Sequence, residues 1–430
     1  MTYSSAVAYL YGLQKHGIKL GLETMTTLLA RLGDPHRRYL TLHIAGTNGK
    51  GSTAAIAAAM LQAAGYRVGL YTSPHLVDFR ERIRVDGRMI PESEVGRLTE
   101  LVRRAERSDL TPTFFEATTA MAFQYFSDAQ ADVAVLEVGL GGRFDATNLV
   151  EPMACAITTI ALDHQEYLGE TLSAIAFEKA GIIKPKVPVV LGWIEGEALR
   201  TIEQVAQDRA APLFRLHEQF KTSGTTERFS YTSEGMQYAD LCCALAGAHQ
   251  LHNAACAMAL LEAADGCGIR MPEQAIRKGL ASVHWEGRLE EVAQHPTVWL
   301  DGAHNPAAAA ALAEYFASFR LAHPASRVIL VLGMMRDKDH RGFAEALKGT
   351  VDHVVLTQAD MPRATPVREL QRDLRDIFSS LSIAVNPGDA LALAKQMAAS
   401  DDVVCVTGSL MLVGEVKAAL RGCGLSPLRG

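Results

Sequence analysis

Leu42-His-Ile-Ala-Gly-Thr-Asn-Gly-Lys-Gly-Ser-Thr53 is the stretch whose reading decides the fold. An apolar strand, Thr41–Ala45, runs into a glycine-rich turn, and an alanine-rich helix follows from Ala54 to Ala64. Glycines let successive backbone N–H groups converge on phosphate oxygens, and a helix N-terminus adds partial positive charge. Lys50 supplies a point charge for the terminal phosphates, and Ser52 or Thr53 a hydroxyl for a magnesium ion. The pattern is not the common G-x-x-x-x-G-K-[ST]. Ile44 stands where its first glycine would be, and Gly51 separates Lys50 from the hydroxyls. A plain strand-to-helix turn also favours Gly and Asn. Glycines, a lysine and a Ser-Thr pair together at one such junction point instead to a nucleoside triphosphate. Gly46, Thr47, Asn48, Gly49, Lys50, Gly51, Ser52 and Thr53 are the expected phosphate-binding set.

Outward from this stretch, strand-like and helix-like segments alternate. Thr41–Ala45, Val68–Tyr71, Val133–Val138, Ala154–Ile160 and Val187–Leu191 are mostly continuous apolar runs, as expected of parallel strands covered on both faces. Arg215–Tyr238 is more polar and alternating, which predicts a small antiparallel patch, and helices follow over His249–Gly266 and Pro272–Ala281. A second alternating series begins at strand Thr297–Leu300 and continues through strands Val328–Leu332, His353–Thr357, Leu381–Val385 and Val403–Thr407. Helices are expected from Pro306, over Gly342–Leu347, Val367–Phe378 and Asp389–Ala399, and from Met411. This reads as a self-contained doubly wound domain. Trp285–Pro296 reads as the charged connector between the two. The fold class is therefore α/β.

Composition narrows the rest. A chain of 430 residues exceeds one typical core, so two or more domains are expected. With 48% hydrophobic and 21% charged residues it is ordinary globular material. A net charge of −6 argues against a general nucleic-acid binder. No apolar run is long enough to span a bilayer, and Met1 to Leu20 lacks a basic-then-apolar signal pattern. No nucleic-acid or membrane partner and a cytoplasmic location are the expectations. The 7 cysteines are scattered with no C-x-x-C pair, so free thiols are expected.

Further candidates sit at strand ends. Asp301-Gly-Ala-His-Asn-Pro306 follows the first strand of the second series. Asn305 suits a helix cap and Pro306 the first helical turn. Asp301 and His304 then project from the carboxyl edge of a parallel sheet, where ligands bind. Asp301 suits a ribose hydroxyl and His304 a phosphate; capping alone is the competing reading. Glu137 ends a strand and suits magnesium, which takes hard oxygen ligands. Asp163 and His164 follow another strand, and by itself His164 reads as a hydrogen-bonded loop residue. Lys179, in Ala174-Ile-Ala-Phe-Glu-Lys-Ala-Gly181, reads by itself as a lysine favouring the helix dipole in a last turn ended by Gly181.

Several motifs occur together and in order. They are Gly46-Thr-Asn-Gly-Lys-Gly-Ser52, Thr72-Ser-Pro-His-Leu76, Glu81-Arg-Ile-Arg84 and Glu137-Val-Gly-Leu-Gly-Gly-Arg-Phe-Asp-Ala-Thr-Asn148. Leu162-Asp-His-Gln165, Glu178-Lys-Ala-Gly-Ile-Ile-Lys184, Gly287-Arg-Leu289, Asp301-Gly-Ala-His-Asn-Pro306 and Thr407-Gly-Ser-Leu410 complete the set. In these the chain resembles the folylpolyglutamate synthase/dihydrofolate synthase family of the Mur ligase superfamily, over nearly its whole length.

The resemblance implies a P-loop ATP-binding domain over residues 1–287 and a Rossmann-like glutamate-ligase domain over 288–430. It implies joining of L-glutamate to dihydropteroate or to tetrahydrofolate glutamate tails through an acyl phosphate, with ATP converted to ADP and phosphate. Lys50, Lys179 and His304 would be catalytic. Ser73 and Glu137 would hold one Mg2+ and His164 a second, and Lys179 would be carbamylated. Asn253, Arg288, Asp301 and His304 would contact ATP. Arg82, Phe115, Glu116 and Asp145 would line the pteridine pocket, and the wording of the motifs is closer to bifunctional bacterial members. A monomer is implied as well. Other Mur ligases carry a UDP-binding domain ahead of the P-loop, and the segment before Gly46 is short for one.

Overall fold

In the computed structural model, residues 1–17, 19, 21–106 and 110–426 are described; the last four positions of the expected second domain lie outside the described residues. The chain divides into two compact units. The first comprises Met1–His75, Phe79–Ala244 and Gln250–His284, and the second Leu76–Asp78, Leu245–His249 and Trp285–Gly430.

Among the described residues, the first unit is built on strands β1 (Leu40–Ala45), β2 (Val68–Tyr71), β3 (Ile83–Val85), β4 (Arg88–Met89), β5 (Val133–Glu137), β6 (Ala154–Ile157), β7 (Val189–Leu191) and β8 (Leu213–Arg215). They form one sheet in the order β4-β3-β2-β5-β1-β6-β7-β8. From β2 to β8 all neighbours are parallel, and β3 and β4 add antiparallel at one edge. One face is covered by helices Tyr3–Gly12, Glu23–Arg31, Glu92–Ala105 and Phe114–Asp128, around fully buried Tyr71, Phe79, Phe123 and Phe126. Burying each such ring contributes about 1.5–3 kcal/mol. Helices Leu172–Ala180 and Gly196–Asp208 cover another core lined by Ile157, Ile182, Val189 and Ile202. Helix Lys50–Ala63 crosses helix Glu273–Ser282 so closely that a Cβ on Gly279 would lie 2.4 Å from the Met60 Cα. Strands β9 (Phe220–Thr225), β10 (Arg228–Ser233) and β11 (Gln237–Leu241) form the small antiparallel sheet.

The second unit carries β12 (Glu290–Ala293), β13 (Thr297–Leu300), β14 (Val328–Leu332), β15 (His353–Leu356), β16 (Leu381–Ile383) and β17 (Val403–Thr407). Their order is β12-β13-β17-β14-β15-β16, parallel throughout except for β12. Apolar clusters line it around Trp299, Phe316 and Phe343 and around Val404, Val406 and Leu412.

The mixed α/β class with a small antiparallel patch is as expected, with local corrections. Ala154–Ile160 stops being a strand at Ile157, because Thr158 and Thr159 turn to hydrogen-bond the loop after β1. Val187–Leu191 begins at Val189, after Pro188, which has no N–H for a ladder. Arg215, the first residue of the polar segment, instead ends Leu213–Arg215, the outer parallel strand of the large sheet. The expected connector Trp285–Pro296 contains β12, an antiparallel edge strand paired with β13. The helix expected over Val367–Phe378 ends at Leu374.

Candidate active site

β1 lies between β5 and β6, with Ile44 opposite Glu137 and Ala45 opposite Ile157. The loops leaving all three strands therefore open together at the carboxyl edge of the sheet. The glycines after β1 are fixed by packing as well as by conformation. Gly46 has φ +145°, and a Cβ there would lie 1.9 Å from the Thr158 hydroxyl. Gly49 has φ +86°, and its Cβ would lie 2.3 Å from Asn253 Oδ1. Asn48 O accepts the Thr158 hydroxyl at 2.6 Å, and Thr47 N donates to Thr159 O at 2.8 Å. Thr158 and Thr159 are the braces that sequence reading missed; they read there as the end of an apolar strand. Lys50, Gly51, Ser52 and Thr53 form the first turn of the following helix. The Thr53 hydroxyl is buried with no hydrogen-bond partner among the described residues.

Two lysines converge on this turn. Lys50 Nζ donates to Gly46 O at 3.0 Å and to Thr47 O at 3.1 Å. Lys179, only 5% exposed, donates to the same Gly46 O at 2.9 Å. Burial and the Lys50 charge pull the Lys179 pKa from 10.5 down to about 7, against opposition from Asp163 and Asp145. The reading of Lys179 as a helix-end residue favouring the dipole is thus corrected. It does sit in the last turn, but it points inward to the glycine turn. Asp163 also faces His164, whose ring is 4.0 Å away and 38% exposed.

Glu137 is buried at the end of β5, and its Oε2 accepts the Ser73 backbone N–H at 3.1 Å. A buried carboxylate oriented by the backbone of a residue that itself carries a hydroxyl is a hard-oxygen donor set, and it fits Mg2+ or Mn2+. The His164 nitrogen is a softer donor.

The other candidates of this unit surround the loop after β5. Asp145 accepts from Gly139 N and Leu140 N at 3.0 Å each through one oxygen, and from Thr147 N at 3.0 Å through the other. Its carboxylate shapes the loop, and burial raises its pKa against those donors. The Phe115 ring lies on Gly139, where a Cβ would come within 2.4 Å of it. Glu116 closes a capping box with Thr113, accepting its N–H at 2.7 Å. Arg82 is buried over the Phe114 ring and donates to His75 Nδ1 at 2.9 Å. Burial lowers its pKa, against Tyr71, Tyr11, Glu81 and Glu137. Glu81 and Arg82 are therefore buried rather than solvated.

In the second unit, Asp301 leaves β13 and accepts Leu289 N and Ala303 N, each at 2.9 Å. Arg288 lies over Gly302, where a Cβ would meet its Nη1 at 2.3 Å. His304 Nδ1 is 2.8 Å from Gly302 O. Arg288, just before β12, is thus brought beside Asp301 and His304, just after β13. Asn305 caps the next helix through Ala308 N at 2.9 Å, with Pro306 at the first position, as expected. Behind them Glu290 accepts Gly287 N at 2.8 Å and the buried ammonium of Lys417, a link between distant residues that no local pattern announces.

Residues 44–261 match the Mur ligase middle domain and residues 287–410 the Mur ligase glutamate ligase domain. The dihydrofolate synthase/folylpolyglutamate synthase of Bacillus subtilis is 39% identical, over 97% of this chain and 99% of its own length. The folylpolyglutamate synthase of Lacticaseibacillus casei is 34% identical, over 98% and 99%. Among solved structures, E. coli FolC in complex with DHPP and ADP is similar at TM-score 0.90 and 36% identity, covering 98% of each chain. The Yersinia pestis bifunctional enzyme complexed with AMPPNP and Mn ion is similar at TM-score 0.89 and 34% identity, over 98% of each chain. The fold and domain matches make this a Mur ligase. Within that class, the chain belongs to the folylpolyglutamate synthase/dihydrofolate synthase family.

Proposed function

We propose that this chain is an ATP-dependent ligase that joins L-glutamate to dihydropteroate and to the glutamate tail of tetrahydrofolate, releasing ADP and phosphate. The observation that carries this reading is the meeting of Lys50 and Lys179 on Gly46 O, beside a buried Glu137. Two cations gathered at a glycine turn suit an anion with several oxygens. The names of the relatives and the nucleotide and manganese in the structural neighbours support the same reading.

A carboxylate is a poor electrophile, since an amine attacking it would have to expel oxide. In the proposed reaction an acceptor carboxylate oxygen attacks the γ-phosphorus and ADP leaves, giving an acyl phosphate. The glutamate amine attacks the acyl carbon and loses a proton; the tetrahedral intermediate collapses to the amide and expels phosphate. The N–H groups from Gly46 to Ser52 cradle the phosphates, and Lys50 neutralises charge as two anions approach. Ser73 and Glu137 would hold one Mg2+ and His164 a second; when bound, the metal supplies further neutralisation of phosphate charge.

Lys179 is suited to carbamylation. With a pKa near 7 much of it is neutral amine at physiological pH, and a neutral amine adds to CO2 with loss of a proton. The product is an anion, which would relieve the repulsion with Lys50. Residues 1–287 would form the ATP-binding domain and 288–430 the glutamate-ligase domain, with Asn253, Arg288, Asp301 and His304 contacting ATP. Arg82, Phe115 and Glu116 would line the pteridine pocket, on a loop that Asp145 shapes. Among the described residues no helix is long and apolar enough to cross a membrane. All cysteines are free. A cytoplasmic location and a monomeric state are part of the proposal.

The test is phosphate release from ATP with Mg2+ and L-glutamate, with dihydropteroate in one tube and tetrahydrofolate in another, and products weighed by mass spectrometry. A one-glutamate gain in both is expected. A gain in one alone restricts the enzyme to that acceptor, and a gain in neither overturns the reading.

A further inference from the structure

His43 is a polar residue where the fold calls for an apolar one. It lies inside β1, opposite Leu136 of β5 and Cys155 of β6, and is fully buried. Parallel strands covered on both faces are ordinarily runs of aliphatic residues. An imidazole there loses its water, which costs free energy unless hydrogen bonds replace it. The replacement is half made. Nε2 lies 2.8 Å from Thr147 Oγ1, and Nδ1 is buried with no hydrogen-bond partner among the described residues. An aliphatic side chain would fill the position without stranding a nitrogen, so the bond to Thr147 is what the histidine adds.

The direction of that bond is fixed by its neighbour. The Thr147 hydroxyl has one proton and donates it to Asp145 Oδ1, which also accepts Thr147 N at 3.0 Å. The Thr147 oxygen is left as an acceptor, so His43 donates from Nε2–H. The proton therefore sits on Nε2 and Nδ1 is bare, in keeping with the stranded atom. Burial and the Lys184 charge keep the ring neutral, with its pKa pulled down to about 3. A chain of donors thus runs from His43 through Thr147 to Asp145, whose other oxygen accepts Gly139 N and Leu140 N. The rest of the loop after β5 is held separately. Arg143 N donates to Glu178 O at 2.8 Å, and Asn148 Nδ2 donates to Arg143 O and Gly181 O at 3.0 Å each.

We propose that His43 is a positioning residue for the acceptor: through the Thr147 hydroxyl it fixes the orientation of the Asp145 carboxylate, and with it the loop that lines the pteridine pocket. This rests on the pocket reading above and adds to it a support that does not touch the substrate. Hydrogen bonds in a buried chain polarise one another, so removing the first donor weakens the hold on the last acceptor. A site residue whose own rotamer is locked from behind keeps its geometry when the ligand arrives. His43 lies behind the glycine turn rather than in it. Losing its donor should therefore disturb acceptor binding and leave Lys50 and Gly46–Thr53 in place.

The test is steady-state kinetics with dihydropteroate or tetrahydrofolate as acceptor, together with calorimetric binding of ADP–Mg2+. Wild type is compared with His43→Leu, His43→Gln, Thr147→Val and the double variant His43→Leu/Thr147→Val. His43→Leu is expected to raise the acceptor KM about 3- to 30-fold, the effect of one buried hydrogen bond. Its kcat at saturating acceptor and its ADP affinity should match the wild type. His43→Gln keeps an N–H donor near the Nε2 position and should recover most of the loss. The double variant should be no worse than Thr147→Val alone, because both changes act through one hydroxyl. An unchanged acceptor KM in His43→Leu, or an equal loss of ADP affinity, would overturn the inference and leave the ligase reading intact. So would a Gln variant no better than Leu, or additive losses in the double variant. Asp145→Asn with a wild-type acceptor KM would instead overturn the pocket reading on which the inference rests.

Discussion

At the end of β1 two ammonium groups share one carbonyl, whereas at the end of β13 one carboxylate serves two backbone N–H groups. The two loops are made of similar parts: an apolar strand, a glycine and a helix start. They differ in whether charge is settled. Around Gly46 like charges are brought together and one of them is buried, which costs stability. Around Asp301 the carboxylate is matched by one backbone donor from its own loop and one from the segment before β12, and Arg288 lies over Gly302. In the proposed reading an anion completes the first loop, while the second already has backbone donors on its carboxylate and presents Arg288 and His304 beside it. The loop where like charges are gathered is therefore the place to look for the chemistry.

Breaking the first loop should have the largest effect on turnover and the least on the fold. Lys50→Ala is expected to lower turnover at least about 100-fold, since it removes a donor aimed at developing charge. Its melting temperature should hold or rise, because Lys179 loses a like-charged neighbour. Phosphate release and thermal melts on the same sample check both halves. Turnover at the wild-type level would remove Lys50 from the phosphate site.

The Lys179 charge sharpens the contrast through pH. Its folded pKa, about 7, lies below the ordinary 10.5. Held as a cation it therefore costs stability below pH about 7, and that cost fades as pH rises from about 7 to 10.5. Carbamylation needs the neutral amine, so a gain in activity on adding bicarbonate should appear above pH about 7 and disappear below it. Assays with and without bicarbonate across that range, with Lys179→Arg as the control that cannot be carbamylated, check this. A bicarbonate gain equal on both sides of pH 7 would contradict it.

How far these loops were legible in sequence follows from how local their physics is. The glycine turn, the Asn305–Pro306 helix start and most buried strands announce themselves through neighbouring residues, and they stand where expected. The environment of Lys179 does not, because its carbonyl partner lies 133 residues away in the chain. By itself it reads as a helix-end lysine, and only the family resemblance raised it. Thr158 looks like the end of a strand until Asn48 is seen to need its hydroxyl. β12 hides in a charged segment, since an edge strand needs no continuous apolar run. Glu116 fitted a pocket role, and the structure adds that its carboxylate closes a helix cap.

Disturbing the second loop at its helix cap should have the smallest effect. Asn305→Ala is expected to cost about 1 kcal/mol of stability, the ordinary value of a lost cap, with kcat little changed and any rise in KM for ATP only a few-fold. Denaturant unfolding and steady-state kinetics check this. A collapse of kcat in this variant would mean that the β13 loop takes part in the chemistry as directly as the β1 loop does.

The most direct test of the account is isotopic. The acceptor is prepared with oxygen-18 in its reacting carboxylate, and the phosphate released with ATP and L-glutamate is weighed. If the carboxylate attacks the γ-phosphorus held over Gly46–Thr53, one labelled oxygen appears in each phosphate. Unlabelled phosphate released in step with amide formation would contradict the acyl-phosphate route, and with it the role given to the two lysines.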